Sequence, residues 1–289
     1  MSPRRWTQVA GVIVANPWVA YFRTRSIYQG SAKGVCFPGF NCYACPLALY
    51  SCPIGSLQHS LAINRPGRPA GAGLNLSPLL YVAGFLGLVG VLTGRLACGW
   101  ICPFGFLQDM LHKIPSPKLR LPSFARFGKY AALFVLAMLV PYLTGVHWYS
   151  RLCPAGALEG GIPLTLVKPA GGLPEVGWFF WLKMAILAVF LVWMVVTKRP
   201  FCRTACPLGA IYALLAPVSF FRMSVDARAC TRCDSCRAVC PVDINIYENP
   251  NSPECVRCLE CKRVCPAGAV SSGFRVGLSK AGAASVPDE

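Results

Sequence analysis

Acidic side chains and histidine are what this sequence has least of. Against 28 Lys and Arg it sets 11 Asp and Glu, and its three histidines are His59, His112 and His147. No Cys-x2-Cys-His run offers an attachment point for covalent haem. His59 and His147 are the one pair that could share a side for a bis-histidine haem. No Walker loop and no G-x-G-x-x-G after a strand occurs, so nucleotide and dinucleotide chemistry find no support. Charge is thin altogether: 13% of residues are charged and 55% are hydrophobic, outside the balance of a soluble globular domain.

The apolar excess is concentrated in long runs. Residues 76–93 carry no charge, 130–148 have only His147, and 176–197 have only Lys183. Each could cross a hydrocarbon core of about 30 Å. Residues 6–22, uncharged but interrupted by Asn16-Pro17, form a fourth candidate. With four spans, residues 1–5, 95–129 and 198–289 share one side and carry twenty Lys and Arg, against seven in 23–75 and 149–175. The positive-inside rule then places the C-terminal part in the cytoplasm of a prokaryotic cell, with Arg23, Arg25, Arg65 and Arg68 as outside exceptions. The net charge of +17 therefore speaks for a lipid bilayer as partner rather than nucleic acid. Arg4-Arg5 reads as a positive anchor rather than a twin-arginine signal. Trp148, Trp178 and Trp181 suit an interfacial belt, and Lys183 is expected to snorkel.

Seventeen cysteines dominate what is present. Most fall on the side assigned as reducing, where disulfides are rare, so metal ligation is the better reading. Cys-Pro-x-Gly recurs at Cys52, Cys102, Cys153, Cys206 and Cys265, in "CPIGSLQ", "CPFGFLQ", "CPAGALE", "CPLGAIY" and "CPAGAV". Proline suits the first position of a helix, so the preceding cysteine is expected at the N-cap. There it faces free N–H groups and the positive end of the dipole, a seat for a thiolate and an anionic cofactor. The tail reads "CTRCDSCRAVCP" from Cys230 and "CVRCLECKRVCP" from Cys255, twice the Cys-x2-Cys-x2-Cys-x3-Cys-Pro run of [4Fe–4S] proteins. Three closely spaced cysteines face one cube, and the fourth, turned away at a helix, reaches the other. One cluster is thus assigned to Cys230, Cys233, Cys236 and Cys265, the second to Cys255, Cys258, Cys261 and Cys240. Zinc would need four ligands only. This segment resembles the bacterial two-cluster ferredoxins, which implies an α+β fold over about 225–270.

Two further motifs, Cys98-x3-Cys102-Pro and Cys202-x3-Cys206-Pro, follow apolar runs. Together with the two tail runs they resemble NapH, MauN and the C-terminal half of NosR. That resemblance covers roughly residues 76–270 and implies a membrane ferredoxin of quinol-dehydrogenase type. It also implies the quinone pool and other redox subunits of a respiratory complex as partners, quinone or quinol as a further cofactor, and Cys98, Cys102, Cys202 and Cys206 as a redox element of the cytoplasmic face. The chain departs from that pattern in Cys36, Cys42, Cys45, Cys52 and Cys153. If two halves pack side by side, Cys98, Cys102, Cys202 and Cys206 converge inside, and Cys42, Cys45, Cys52 and Cys153 converge outside, with Cys36 as the alternative ligand. Each set could hold an iron–sulfur cluster. The inner set could instead be a structural or thiol-redox motif, and the outer one disulfides. Asp109 and Glu159, seven and six residues after motif cysteines, read as solvated loop charges, or as proton acceptors beside a quinone.

The expected architecture is an α-helical integral membrane protein of about four spans over residues 1–222. A two-[4Fe–4S] ferredoxin-like domain over 223–276 and a disordered tail over 277–289 follow. The expected role is an electron-transfer subunit of an oxidoreductase complex, multi-pass in the cytoplasmic membrane. The alternative is a membrane ferredoxin that reduces metal centres during assembly, as in CcoG-like proteins.

Overall fold

The computed structural model describes residues 3–67, 73–168 and 177–275; Arg68 and the expected tail over 277–289 lie outside the described residues. Two helices are long and apolar enough to cross a membrane, Ser123–Thr144 and Trp178–Val196. Only 28% and 11% of their apolar windows are buried, unlike the core helices of a soluble bundle. Phe134, Leu139, Leu143, Trp181, Val189 and Val192 stand exposed along them. A third apolar helix, Ser77–Thr93, has 17 residues, about 26 Å of rise.

No continuous helix runs through the fourth candidate, residues 6–22. The first helix runs Pro3–Ala15 and stops, and only the short turn Tyr21–Thr24 follows. Pro17 supplies no N–H and disfavours a helical residue before it. Asn16 caps the break instead, donating from Nδ2 to Val12 O and to Asn41 Oδ1. Thirteen residues rise only about 20 Å.

Four helices begin at Cys-Pro: Pro53–Ile63, Pro103–Leu111, residues 154–166 and Pro207–Leu215. Cys52, Cys102, Cys153 and Cys206 occupy their N-caps, each with extended backbone and proline at the first helical position. These helices are about half a bilayer long, and their N-terminal ends lie in the interior. Irregular backbone at such depth is tolerated only inside protein. In the third, a π-helical stretch, Ala157–Gly161, contains Glu159.

The C-terminal segment is small and mixed. Strands β1 (Phe221–Val225) and β2 (Val270–Phe274) pair antiparallel, Phe221 opposite Phe274 and Val225 opposite Val270. Between them lie two short helices, Ser235–Ala238 and Glu260–Val264, with the cysteine runs leading into each. The segment is docked, not tethered. Arg257, 2% exposed, donates to Thr93 O, Ala216 O and Ser219 Oγ. Trp100 Nε1 donates to Arg257 O, and a Cβ on Gly99 would lie 2.3 Å from Val256 O.

Hydrogen bonds from a charged donor contribute about 1.5–3 kcal/mol each when a partner is lost. Arg257→Ala is therefore expected to loosen docking while sparing the tail's own fold. Hydrogen exchange should rise over residues 216–220 and 93–100, with the β1–β2 ladder still protected.

Candidate metal and redox centre

The cysteines gather in four places. A cavity of about 370 Å³ is lined by Cys230, Cys233, Cys236 and Cys265, beside Val225, Ile246 and Tyr247. A second, of about 350 Å³, is lined by Cys240, Cys255, Cys258 and Cys261, and by Cys236 from the first run. The backbone repeats between the runs. Arg232 and Asp234 flank Cys233 in the left-handed region, and Arg257 and Leu259 flank Cys258 in the same way. Non-glycine residues are held there only when the surroundings demand it. Reversing backbone handedness at adjacent residues points successive N–H groups to one side, a concavity suited to anions. No residue-type signal marks these positions in the sequence.

Among the helices, the thiols of Cys98, Cys102, Cys202 and Cys206 are all buried and lie within electrostatic reach of one another. The sulfurs accept hydrogen bonds: Cys102 Sγ from Gly105 N at 3.4 Å and Phe40 N at 3.3 Å, Cys206 Sγ from Gly209 N at 3.3 Å, and Cys202 Sγ from Gln108 Nε2 at 2.9 Å. The repeated Cys-Pro-x-Gly now has a local cause. The glycine N–H faces the capping sulfur, and its missing side chain leaves room for the other half of the molecule. A Cβ on Gly105 would meet Cys98 O at 3.0 Å and Arg199 Cζ at 3.6 Å; one on Gly209 would meet Cys202 O and Arg95 Nη2, both at 3.2 Å.

The third cavity, about 470 Å³, is lined by Cys42, Cys52 and Cys153 with Tyr43, Tyr149 and Lys183. The N–H groups of Gly55 and Ile54 face Cys52, and those of Gly156 and Ala155 face Cys153. Cys45 is buried but does not line this cavity; its thiol lies near Lys33 and Glu159. Cys36 points elsewhere, towards Ser56 Oγ at 3.9 Å. All seventeen cysteines are unpaired, and among the described residues no three His, Cys, Asp or Glu side chains converge on a single-ion site. Cluster ligands bind separate irons of a cube and need no such common point.

Several expectations need correction. The inner and outer cysteine sets, expected at opposite faces, come close to one another where the buried starts of the short Cys-Pro helices meet. Phe40, whose N–H reaches Cys102 Sγ, is two residues from Cys42. Two residues span at most about 7 Å, so Cys42 N lies within about 11 Å of Cys102 Sγ. Lys183 does not snorkel; its side chain lines the third cavity near Cys153. Glu159 is no solvated charge. It accepts the Cys42 N–H at 2.6 Å. Asp109 is buried between Arg199, Arg4 and Gln8. Arg4, read as a surface anchor, is 9% exposed and donates from Nε to Gly99 O.

Sequence reasoning missed the arginines. Arg95 and Arg199 stand three residues before Cys98 and Cys202, at the same spacing of 104 residues as the cysteines themselves. Arg95 is 0% and Arg199 1% exposed. Arg95 Nη2 donates to Cys202 O at 3.2 Å, and Arg199 Nη1 donates to Cys98 O at 2.9 Å, each reaching into the other repeat. The repeated Arg-x2-Cys-x3-Cys-Pro was the signal available for them.

Against known proteins, the 4Fe-4S binding domain family matches residues 74–122 and 178–224, the two segments that carry these arginines and the inner cysteines. The chain is 30% identical to the methylamine utilization ferredoxin-type protein MauN of Methylorubrum extorquens over 244 residues, 83% of this chain and 74% of that one. It belongs to the MauN family of ferredoxin-type proteins. The MauN-type chain is also 24% identical to the ferredoxin-type protein NapH of Escherichia coli over 240 residues, 81% of this chain and 71% of that one. It matches the regulatory protein NosR of Pseudomonas aeruginosa at 31% over 170 residues, 57% of this chain and 23% of that one. No solved structure matches. This is an iron–sulfur protein of ferredoxin type.

The Asp109 cluster yields an expectation for the first helix. Asp109 pairs with Arg199 and with Arg4, which extends from helix Pro3–Ala15. Asp109→Asn should expose that helix to hydrogen exchange, since breaking a buried pair costs about 3–5 kcal/mol.

Proposed function

We propose that the chain is a membrane-bound electron-transfer subunit in which four cysteine sites form one wire. Cys230, Cys233, Cys236 and Cys265 hold one [4Fe–4S] cluster, and Cys240, Cys255, Cys258 and Cys261 hold the second. Cys98, Cys102, Cys202 and Cys206 hold a third cluster, and Cys42, Cys52 and Cys153, with Cys45 as fourth ligand, hold another. Bound clusters of this kind supply one-electron transfer.

The residues fit such groups. Each tail cavity is lined by the four cysteines of its assigned set. Around the inner set, Arg4, Arg95, Lys129 and Arg199 pair with Asp109 and Glu254, and Arg4 also lies 3.9 Å from Glu260, which Arg263 shares. Two positive charges remain in excess in a buried region that also contains four thiols. Buried charge requires compensation, and four thiolates on an iron–sulfur core are a net anion.

The observation that carries the reading is continuity. The loop 254–258, which lines the second cavity, rests on Gly99, Trp100 and Arg95 of the inner set. The inner set touches Phe40, and Phe40 leads directly into the third cavity. Tyr149 stands between the two membrane sets, donating to Ala205 O and lying within electrostatic reach of Cys52, Cys153, Cys202 and Cys206. Residues 1–222 are the membrane domain, and residues 223–276 the ferredoxin-like domain on the cytoplasmic side, a placement supported by the distribution of Lys and Arg. The exposed apolar faces meet lipid. Electrons pass between the quinone pool, or a redox protein on the outer side, and a redox enzyme complex; the resemblance to NapH and MauN supports this pairing.

Iron and acid-labile sulfide per chain, on protein purified anaerobically in detergent, test the reading. About sixteen irons match four [4Fe–4S] clusters, and about eight match the tail alone. The expected value is about sixteen, falling by about four in Cys102→Ser and again in Cys52→Ser, with Cys36→Ser unchanged. A wild-type value of about eight overturns the membrane part.

A further inference from the structure

The two repeats differ in the acid that answers their shared arginine. Asp109 lies seven residues after Cys102 and grips Arg199 with both oxygens, Nε to Oδ1 at 2.7 Å and Nη2 to Oδ2 at 2.6 Å. The matching position after Cys206 is Ala213, which has no carboxylate to offer Arg95. The missing acid comes from the tail. Glu254 accepts from Arg95 Nη1 at 3.0 Å and from Lys129 Nζ, both cations having no solvent exposure. Pro253 O accepts from the same Arg95 nitrogen. Glu254 immediately precedes Cys255. The second-cluster segment therefore completes, by docking, the charge arrangement that the first repeat contains within itself.

We propose that Glu254 and Asp109 are positioning residues that set the reduction potential of the group held by Cys98, Cys102, Cys202 and Cys206, Glu254 doing so only when the ferredoxin segment is docked. This rests on the reading that the inner set holds a cluster. Each carboxylate fixes one guanidinium against the carbonyl of a motif cysteine in the opposite repeat. Burial and nearby charge are the terms by which a protein tunes an iron–sulfur centre. Reduction adds one negative charge, so unmasked cations favour the reduced state and unmasked carboxylates oppose it. In a dry interior such terms are screened little. The docked tail thus lowers the affinity of the inner centre for an electron at the moment it offers the second cluster as acceptor or donor. Undocking would leave Arg95 and Lys129 unpaired and draw the electron inwards.

The test is a redox titration of the full chain in detergent, followed by electron paramagnetic resonance, with iron per chain measured on the same samples. Glu254→Gln is expected to shift the inner centre to a more positive potential, Arg95→Gln to a more negative one, and Glu254→Asp to recover part of the wild-type value. Asp109→Asn, wholly within the membrane segment, should shift it positively even with the tail docked. A merely structural role would not move the potential in opposite directions at constant iron. Wild-type protein with no centre beyond the two of the tail overturns the underlying reading. A third centre whose potential stays fixed in all four variants, or moves in one direction for both Glu254→Gln and Arg95→Gln, overturns this inference alone.

Discussion

Two guanidinium groups with essentially no access to water hold this molecule to one arrangement. Arg95 and Arg199 cross between repeats, each bound to the carbonyl of the other's first motif cysteine. A buried cation must be paired or it forfeits its solvation, and this requirement radiates outwards. Asp109 must face Arg199, which draws in Arg4 and Gln8 and so seats the first helix. Glu254 must face Arg95, which seats the tail. Buried ion pairs are weak evidence for stability, because desolvation offsets much of the attraction. Their strength lies in register: a repeat shifted by one residue would bury two unpaired arginines.

Within that frame the half-helices perform a second task. A full transmembrane helix would place its free N–H groups at the bilayer surface. Beginning a short helix at an internal Cys-Pro places them beside a sulfur instead, as discontinuous helices in transporters do for anionic ligands. The fold supplies this four times, at Cys52, Cys102, Cys153 and Cys206. Proline sets the backbone angle, cysteine accepts, and glycine lets the opposite repeat come close.

The legible parts of this molecule were those carried by spacing. The Cys-Pro N-caps could be read from proline's fixed geometry, and apolar helices over 77–93, 123–144 and 178–196 from the long runs of little or no charge at 76–93, 130–148 and 176–197. Residues 6–22 were legible as an apolar run broken at Asn16-Pro17, and the first helix stops at Ala15. Depth was illegible too. Nothing in "NCYACP" announces that its loop folds inwards to touch Cys102, since that follows from tertiary packing of Phe40 against Phe104, Tyr149 and Phe201. Asp109 looked like a solvated charge, and Arg95, Arg199 and Glu254 drew no notice, because a charged residue is rarely buried unless paired and the partners lie 90 to 159 residues apart.

The closeness of Phe40 to both Cys102 and Cys42 has an electrical side. With Cys42 N within about 11 Å of Cys102 Sγ, a charge passed between these two residues would cross no more than about a third of a hydrocarbon core of about 30 Å. Moving one elementary charge across a full 100 mV potential costs about 2.3 kcal/mol. A step between these sites meets only a fraction of that, so the resting voltage of the membrane would weigh lightly on which way the electron runs.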